Sequence, residues 1–386
     1  MEKKEKNNIN NNENDNLIDK IFFKKYRCIQ KIGQGSFGFV YKAEYDNKYY
    51  ALKFENNTNG KNILEHESSI MLYLKGPNIP YIKTYGTSGA FNILVMQLLG
   101  KNLQSLLIEM GGTFSIKTVC ILAYQMISIL EHIHNKNIIH RDIKPENFLM
   151  GLDNNSKFLY LSDFGLSKSY NQNSTTHYTP NKEGKKLTGT PRYASINAMR
   201  GLEQSPRDDL ESIGYILVYL LKGELPWQNI IAKNKTEKFK KLLVKKIEIS
   251  SSDLCLGLPN KIEKYIDYCK DLEFEDIPDY QMLKNFFIEI LQQNKQEFDY
   301  IYDWSKSDVG EKLRNVGYNN NNVSVAKNKN YYNITQERSI IITNKENNEI
   351  KGVNNNDLKE KIEEKEKKEN KENELNKQEI CCCEIY

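Results

Sequence analysis

His140-Arg141-Asp142-Ile143-Lys144-Pro145-Glu146-Asn147 is the stretch on which the reading of this chain turns. Its residue types answer distinct chemical needs. A carboxylate at Asp142 can accept a hydrogen bond from an attacking hydroxyl and receive its proton. Asn147, five residues on, offers an amide oxygen to a hard divalent cation such as Mg²⁺. Lys144 places positive charge where negative charge gathers during phosphoryl transfer. Eight residues in this order set the stretch apart from an unspecialised surface loop.

Working outward, Asp163-Phe164-Gly165 follows sixteen residues after Asn147. That tripeptide is common by chance, but behind the first stretch its carboxylate completes a metal site with Asn147. Upstream lies Gly33-Gln34-Gly35-Ser36-Phe37-Gly38-Phe39-Val40. Glycines let backbone approach phosphate closely. Alone this signal is weak, since a dinucleotide loop or a plain hairpin carries it too. A dinucleotide loop needs a helix directly after the glycines. Here a second strand-like segment follows, and Ala51-Leu52-Lys53 sits on the next one. Lys53 lies in an otherwise apolar segment. By itself it reads as an edge-strand lysine. In this context it reads as a phosphate-orienting lysine, with Glu65 and Glu67 on the following helical stretch as candidate ion-pair partners. The elements fall in one order and together imply Mg·ATP-dependent phosphoryl transfer by positioning and electrostatics.

Composition bounds the rest. The chain has 386 residues, 27 % charged and 39 % hydrophobic, with a net charge of +4. So small a charge gives no ground for a nucleic-acid partner. Residues 1–23 are rich in Asn, Lys and Glu, and residues 306–386 carry Asn runs and a Lys/Glu-mixed stretch. Both are expected to be disordered, for want of apolar surface to bury. Between them, residues 24–305 have ordinary core content. Residues 24–96 alternate like strands around one helical stretch, Asn62 to Leu74. From Leu103 onward apolar residues recur at helical spacing. One such helix is expected from Asp209 to Leu221, stopping at Gly223. No apolar run reaches the ~18 residues that span a bilayer. Cys28, Cys120, Cys255 and Cys269 are scattered, as suits free core thiols in a reducing compartment. Cys381, Cys382 and Cys383 form a separate cluster without the ligand spacing of a zinc site.

These motifs resemble the casein kinase 1 family of serine/threonine protein kinases, over about Tyr26 to Trp304. The distinctive part is Thr188-Gly189-Thr190-Pro191-Arg192-Tyr193-Ala194-Ser195-Ile196-Asn197, where Ser-Ile-Asn stands in place of the A-P-E of most protein kinases. The runs His140 to Met150, Asp163 to Lys168, Arg207 to Gly214, Leu225 to Gln228 and Phe298 to Trp304 also look like the family. The resemblance implies an α+β, bilobal eukaryotic protein kinase fold, with a β-rich N-lobe, a hinge at 97–100 and a helical C-lobe. ATP is then expected in the cleft, against Ile32, Gly33, Gln34, Gly35, Ser36, Phe37, Gly38 and Val40. Ala51, Lys53, Met96 as gatekeeper, Gln97 and Leu99 are expected to complete that pocket. The alignment selects Glu67 over Glu65. It makes Asp142, Lys144, Asn147 and Asp163 catalytic, with Asn147 and Asp163 on the metal. It also makes Asp209, rather than Asp208, the anchor of the catalytic loop.

Lys185, Arg192, Lys235 and Lys238 match family positions that bind an anion beside the substrate. The implied partners are therefore proteins with acidic or phosphorylated residues. The basic run departs from the family at Thr236, which weakens that patch. The family is generally active without activation-loop phosphorylation, although Ser167, Ser174, Thr175 and Thr176 offer hydroxyls. The expected location is cytoplasmic or nuclear. Membrane association would need acyl chains on at least two of Cys381, Cys382 and Cys383. Two other classes compete: a scaffold of pseudokinase type, against which Lys53, Asp142, Asn147 and Asp163 all stand, and a small-molecule phosphotransferase, which would lack the 188–197 segment.

Overall fold

Asp46 and Asn47 both take positive φ, 53° and 54°, which closes a two-residue hairpin between β3 (Gly38–Tyr45) and β4 (Lys48–Asn56) with Tyr45 opposite Lys48. The structure, a computed structural model, describes residues 17–35, 38–57, 62–170 and 187–306. They form two compact units, residues 17–68 with 81–98 and residues 69–80 with 99–306.

The first unit is a six-stranded antiparallel sheet. Besides β3 and β4 it contains β1 (Ile21–Phe22), β2 (Tyr26–Gly35), β5 (Ile82–Ser88) and β6 (Phe91–Gln97), in the order β1-β2-β3-β4-β6-β5. Its core gathers Tyr26, Cys28, Tyr41, Leu52, Phe54, Ile93 and Val95, with Phe22 edge-on to Phe54 at 4.9 Å. Expected disorder through residue 23 is corrected here. Leu17 is buried, its amide donates to the Tyr41 hydroxyl (3.2 Å), and β1 pairs with β2. Leu17 and Phe22 bury apolar surface against the sheet, and that burial offsets the entropy of ordering residues 17–23.

Helix α1 (Ile63–Leu74) follows β4, and the loop after it belongs to the second unit. Asn78 explains why: its amide donates to Leu159 O (2.5 Å) and its carbonyl accepts from Leu161 N (3.0 Å). The second unit is helical. Its elements are α2 (Leu103–Glu109), α3 (Ile116–His134), α4 (Ile196–Met199), α5 (Pro206–Lys222), α6 (Lys235–Glu248), α7 (Ser251–Leu254), α8 (Asn260–Asp271) and α9 (Tyr280–Gln293). Short two-stranded pieces lie among them: β7 (Ile138–Ile139) with β10 (Lys168–Ser169), and β8 (Phe148–Met150) with β9 (Leu159–Leu161). By length and composition α3 could cross a membrane, although no such run was expected. Most of it is buried in this unit against α9 and α5, as a core helix is. Helix α5 starts three residues before Asp209, because Pro206 suits a first turn and Asp208 reaches back to the Ser205 amide (2.8 Å). Cys28, Cys120, Cys255 and Cys269 are free and buried, and burial pushes the Cys28 and Cys120 thiols up to about 12. The C-terminal tail with Cys381, Cys382 and Cys383 lies outside the described residues.

Candidate active site

Strand alternation fixes the site in the sheet unit. On β4, Leu52 and Phe54 enter the core while Lys53 faces the other way, opposite Val40 on β3 and Leu94 on β6. The Lys53 ammonium meets Glu67 Oε2 on α1 at 2.6 Å. The Glu67 side chain is 1 % exposed and that of Lys53 19 %, whereas Glu65 is exposed. Burial therefore separates the two glutamates that sequence left to a family alignment. Removing one partner of so buried a pair costs about 3–5 kcal/mol, because the other charge is left without compensation. Ala51 pairs with Met96 across β4 and β6, and the Gln97 amide donates to Tyr81 O (2.9 Å). Gly33 lies opposite Val40, Gln34 opposite Phe39, and Gly35 opposite Gly38. A Cβ on Gly38 would stand 1.8 Å from the Phe54 carbonyl oxygen, so only glycine lets β3 lie so close to β4. Ile32 is exposed, and Ser36 and Phe37 lie outside the described residues. Leu99 is half-buried at the start of the helical unit.

In the helical unit Asp209 organises the loop before Asp142. Its Oδ2 accepts from the His140 amide (2.7 Å) and from His134 Nε2 (3.1 Å), and its Oδ1 accepts from the Arg141 amide (2.9 Å). Burial alone would raise this carboxyl. The hydrogen bond from His134, the charges of His134 and His140 and the His140 amide outweigh burial and hold it below its ordinary value. Asp208 does a different job: it accepts from the Ser195 hydroxyl at 2.5 Å. Burial pushes its carboxyl up to about 7, against the Ser195 and Ser205 hydrogen bonds. Arg141 and Asp163 both sit at left-handed φ, 66° and 67°. Such non-glycine backbone costs roughly 1–3 kcal/mol and persists where neighbours over-determine it. Two hydrogen bonds do so at Arg141, from its amide to Asp209 and from Nε to Leu166 O (2.7 Å).

The carboxylate so placed is Asp142. Its Oδ2 accepts a short hydrogen bond from the Lys144 ammonium, and its Oδ1 accepts from the Thr190 hydroxyl at 2.8 Å. Asn147 Nδ2 donates to the Asp142 carbonyl at 2.8 Å. A carbonyl can only accept, so this bond fixes the amide and leaves Oδ1 as an acceptor for a cation. Asp163 opens the short 3₁₀ turn at Phe164–Leu166, with the Phe164 ring edge-on to His140 at 5.0 Å. One amide oxygen and one carboxylate fit a hard divalent cation that draws its other ligands from phosphates and water.

Ordered hydroxyl, carboxylate, ammonium and amide are groups suited to phosphoryl transfer, and a family model, protein kinase domain, matches residues 26–297. The chain belongs to the protein kinase family. A protein kinase works on protein substrates with ATP and a divalent metal ion. In this kinase Asn147 and Asp163 would hold the metal, which supplies charge neutralisation at the phosphates. By the chemistry of their side chains, Lys53 would suit the non-transferred phosphates, Lys144 would support developing negative charge, and Asp142 would accept the hydroxyl's hydrogen bond and proton.

Sequence reading assigned no role to Thr190 or Gly189. A Cβ on Gly189 would lie 2.3 Å from Arg141 O, so glycine lets this segment close on the catalytic loop and brings Thr190 to Asp142. The residues expected to bind an anion are scattered in circumstance. Arg192 is half-buried with its guanidinium 5.8 Å from the Tyr193 ring, and its carbonyl accepts from Trp227 Nε1 (2.8 Å). Lys235 and Lys238 are exposed on the first turn of α6, and Lys185 lies outside the described residues. Ser174, Thr175 and Thr176 lie outside them too, while Ser167 is buried, which argues against its modification in the folded kinase.

Proposed function

We propose that this kinase is a serine/threonine kinase of casein kinase 1 type, using Mg·ATP and preferring sites preceded by acidic or phosphorylated residues. The observation that carries the reading is the Thr190 hydroxyl at 2.8 Å from Asp142 Oδ1: the carboxylate already accepts from an aliphatic hydroxyl, the group a substrate serine or threonine presents. The Ser195-Ile196-Asn197 triplet supports the subfamily. Ser195 Oγ accepts from Ala198 N (3.0 Å) and donates to Asp208, and the Ile196 amide donates to Glu211 (2.9 Å). The triplet thus does structural work where A-P-E would stand. Arg192, Lys235 and Lys238, with Lys185, are the cations for a priming phosphate. Ordering by this anion site lets the enzyme act without activation-loop phosphorylation. It works in the cytoplasm or nucleus, and acylation of at least two of Cys381, Cys382 and Cys383 tethers a fraction to membrane.

The test is a peptide array with phosphoamino-acid analysis, using phosphatase-treated enzyme. Phosphoserine and phosphothreonine on primed peptides are expected from the first minutes. Equal rates on primed and unprimed peptides would remove the site preference, and a lag relieved only by loop phosphorylation would remove the regulatory reading. Fractionation of wild type against a Cys381/Cys382/Cys383→Ser variant decides the tether, with equal solubility counting against it.

A further inference from the structure

The segment Pro191–Ile196 begins one residue after Thr190, whose hydroxyl binds the Asp142 carboxylate. It is held from beneath by buried groups. Trp227 Nε1 donates to Arg192 O (2.8 Å), Ser195 Oγ donates to Asp208 (2.5 Å), and the Ile196 amide donates to Glu211 (2.9 Å). The remaining hold comes from Lys246. Its ammonium donates to Pro191 O at 3.1 Å and to Ala194 O at 2.5 Å.

Lys246 differs from the other lysines of α6. Lys235, Lys238, Lys240, Lys241 and Lys245 are exposed, while Lys246 is 1 % exposed. A buried ammonium is costly unless its donors and charge are met. Here two carbonyls take donors, and the rings of Tyr215 and Trp227 lie 4.5 and 4.9 Å from the nitrogen. Burial lowers the Lys246 pKa to about 7, and the charge of Glu211 opposes that shift. A side chain serving only to fill this volume would be apolar, since a methionine of similar length carries no such desolvation cost.

We propose that Lys246 is a positioning residue for the peptide substrate: its ammonium clamps the Pro191 and Ala194 carbonyls and so sets the shape of the segment that presents a substrate chain to Asp142. The proposal rests on the reading of the protein as a kinase acting on peptides.

The test compares Lys246→Met, which keeps length and removes the donors, with Lys246→Arg, which keeps a cationic donor. Full-length proteins are assayed for peptide and ATP kinetics, and backbone amide exchange is followed over residues 193–199. For Lys246→Met the peptide KM rises about tenfold, the scale of one charge-assisted hydrogen bond, while the KM for ATP stays within about twofold. Exchange over 193–199 accelerates, and Lys246→Arg recovers most of the peptide KM. A folded Lys246→Met protein with unchanged peptide KM and unchanged exchange overturns the proposal. Should that variant not fold, Lys246→Gln, which keeps an uncharged N–H donor group on a shorter side chain, carries the same expectation at smaller size and the same contradiction. Absence of transfer by the wild type overturns the functional reading beneath the proposal, whereas transfer with unaltered KM in the variants overturns the proposal alone.

Discussion

The two units hold their reactive groups by different means. In the sheet unit, Lys53 is set by a charge pair with Glu67 at 2.6 Å, on a strand whose alternation turns it away from the core. In the helical unit, Asp142 sits in a net of hydrogen bonds: Lys144 and Thr190 on its oxygens, Asn147 on its carbonyl, and Asp209 on the amides of the two residues before it. A charge pair acts through one distance, so damage to it should show as a graded loss of nucleotide handling. A net shares its geometry among many groups, so cutting one strand of it should disturb several atoms together.

The contrast can be broken most severely at the metal. Asp163→Ala removes the carboxylate proposed for the cation site, and transfer should fall to background without recovery on raising the divalent ion; substantial turnover at high metal would place the metal elsewhere. Next comes Asp209→Ala, which removes the carboxylate that accepts from the buried His140 amide and the half-buried Arg141 amide. Each such loss costs about 1–3 kcal/mol. Melting temperature and kcat should fall together, kcat by about 10²-fold if the barrier rises by ~2.7 kcal/mol. A variant that loses neither would show the net to be incidental.

Glu67→Gln sharpens the comparison from the other side. It keeps the volume and a hydrogen bond but removes the charge, and should raise the KM for ATP about tenfold, or ~1.4 kcal/mol, with peptide KM little changed. Equal damage to both KM values would mean the two units are not separable in this way. The smallest effect concerns acid. Asp209 is held below the usual carboxylate range, so its stabilisation is fully present above about pH 4 and is lost as pH falls through its folded value. Thermal melts should therefore steepen with falling pH below about pH 4 in the wild type, and less so in Asp209→Asn.

Much of this was legible in sequence, for reasons that differ by element. The catalytic loop could be read because its groups lie within eight consecutive residues. Glu67 and Glu65 looked alike, since both sit on one helical stretch; burial tells them apart. Asp208 and Asp209 looked alike as first-turn acids, yet one bonds Ser195 and the other anchors the loop. Order from Leu17 to Phe22 was hidden by the Asn-rich composition around it, because Leu17 and Phe22, the two of its four apolar residues that are buried, matter only once a sheet exists to receive them. Lys246 was hidden among five other lysines of α6, and only the helix's seating against Tyr215 and Trp227 singles it out.

Under the proposed function Asp142 orients and deprotonates the hydroxyl that takes the phosphoryl group. Asp142→Asn tests it most directly, by transfer of labelled γ-phosphate from ATP to casein alongside a melting curve for each protein. A folded variant is expected, with kcat lower by about 10²–10⁴-fold, the range for a positioned acid–base group. Near-normal transfer by a folded Asp142→Asn protein would contradict it.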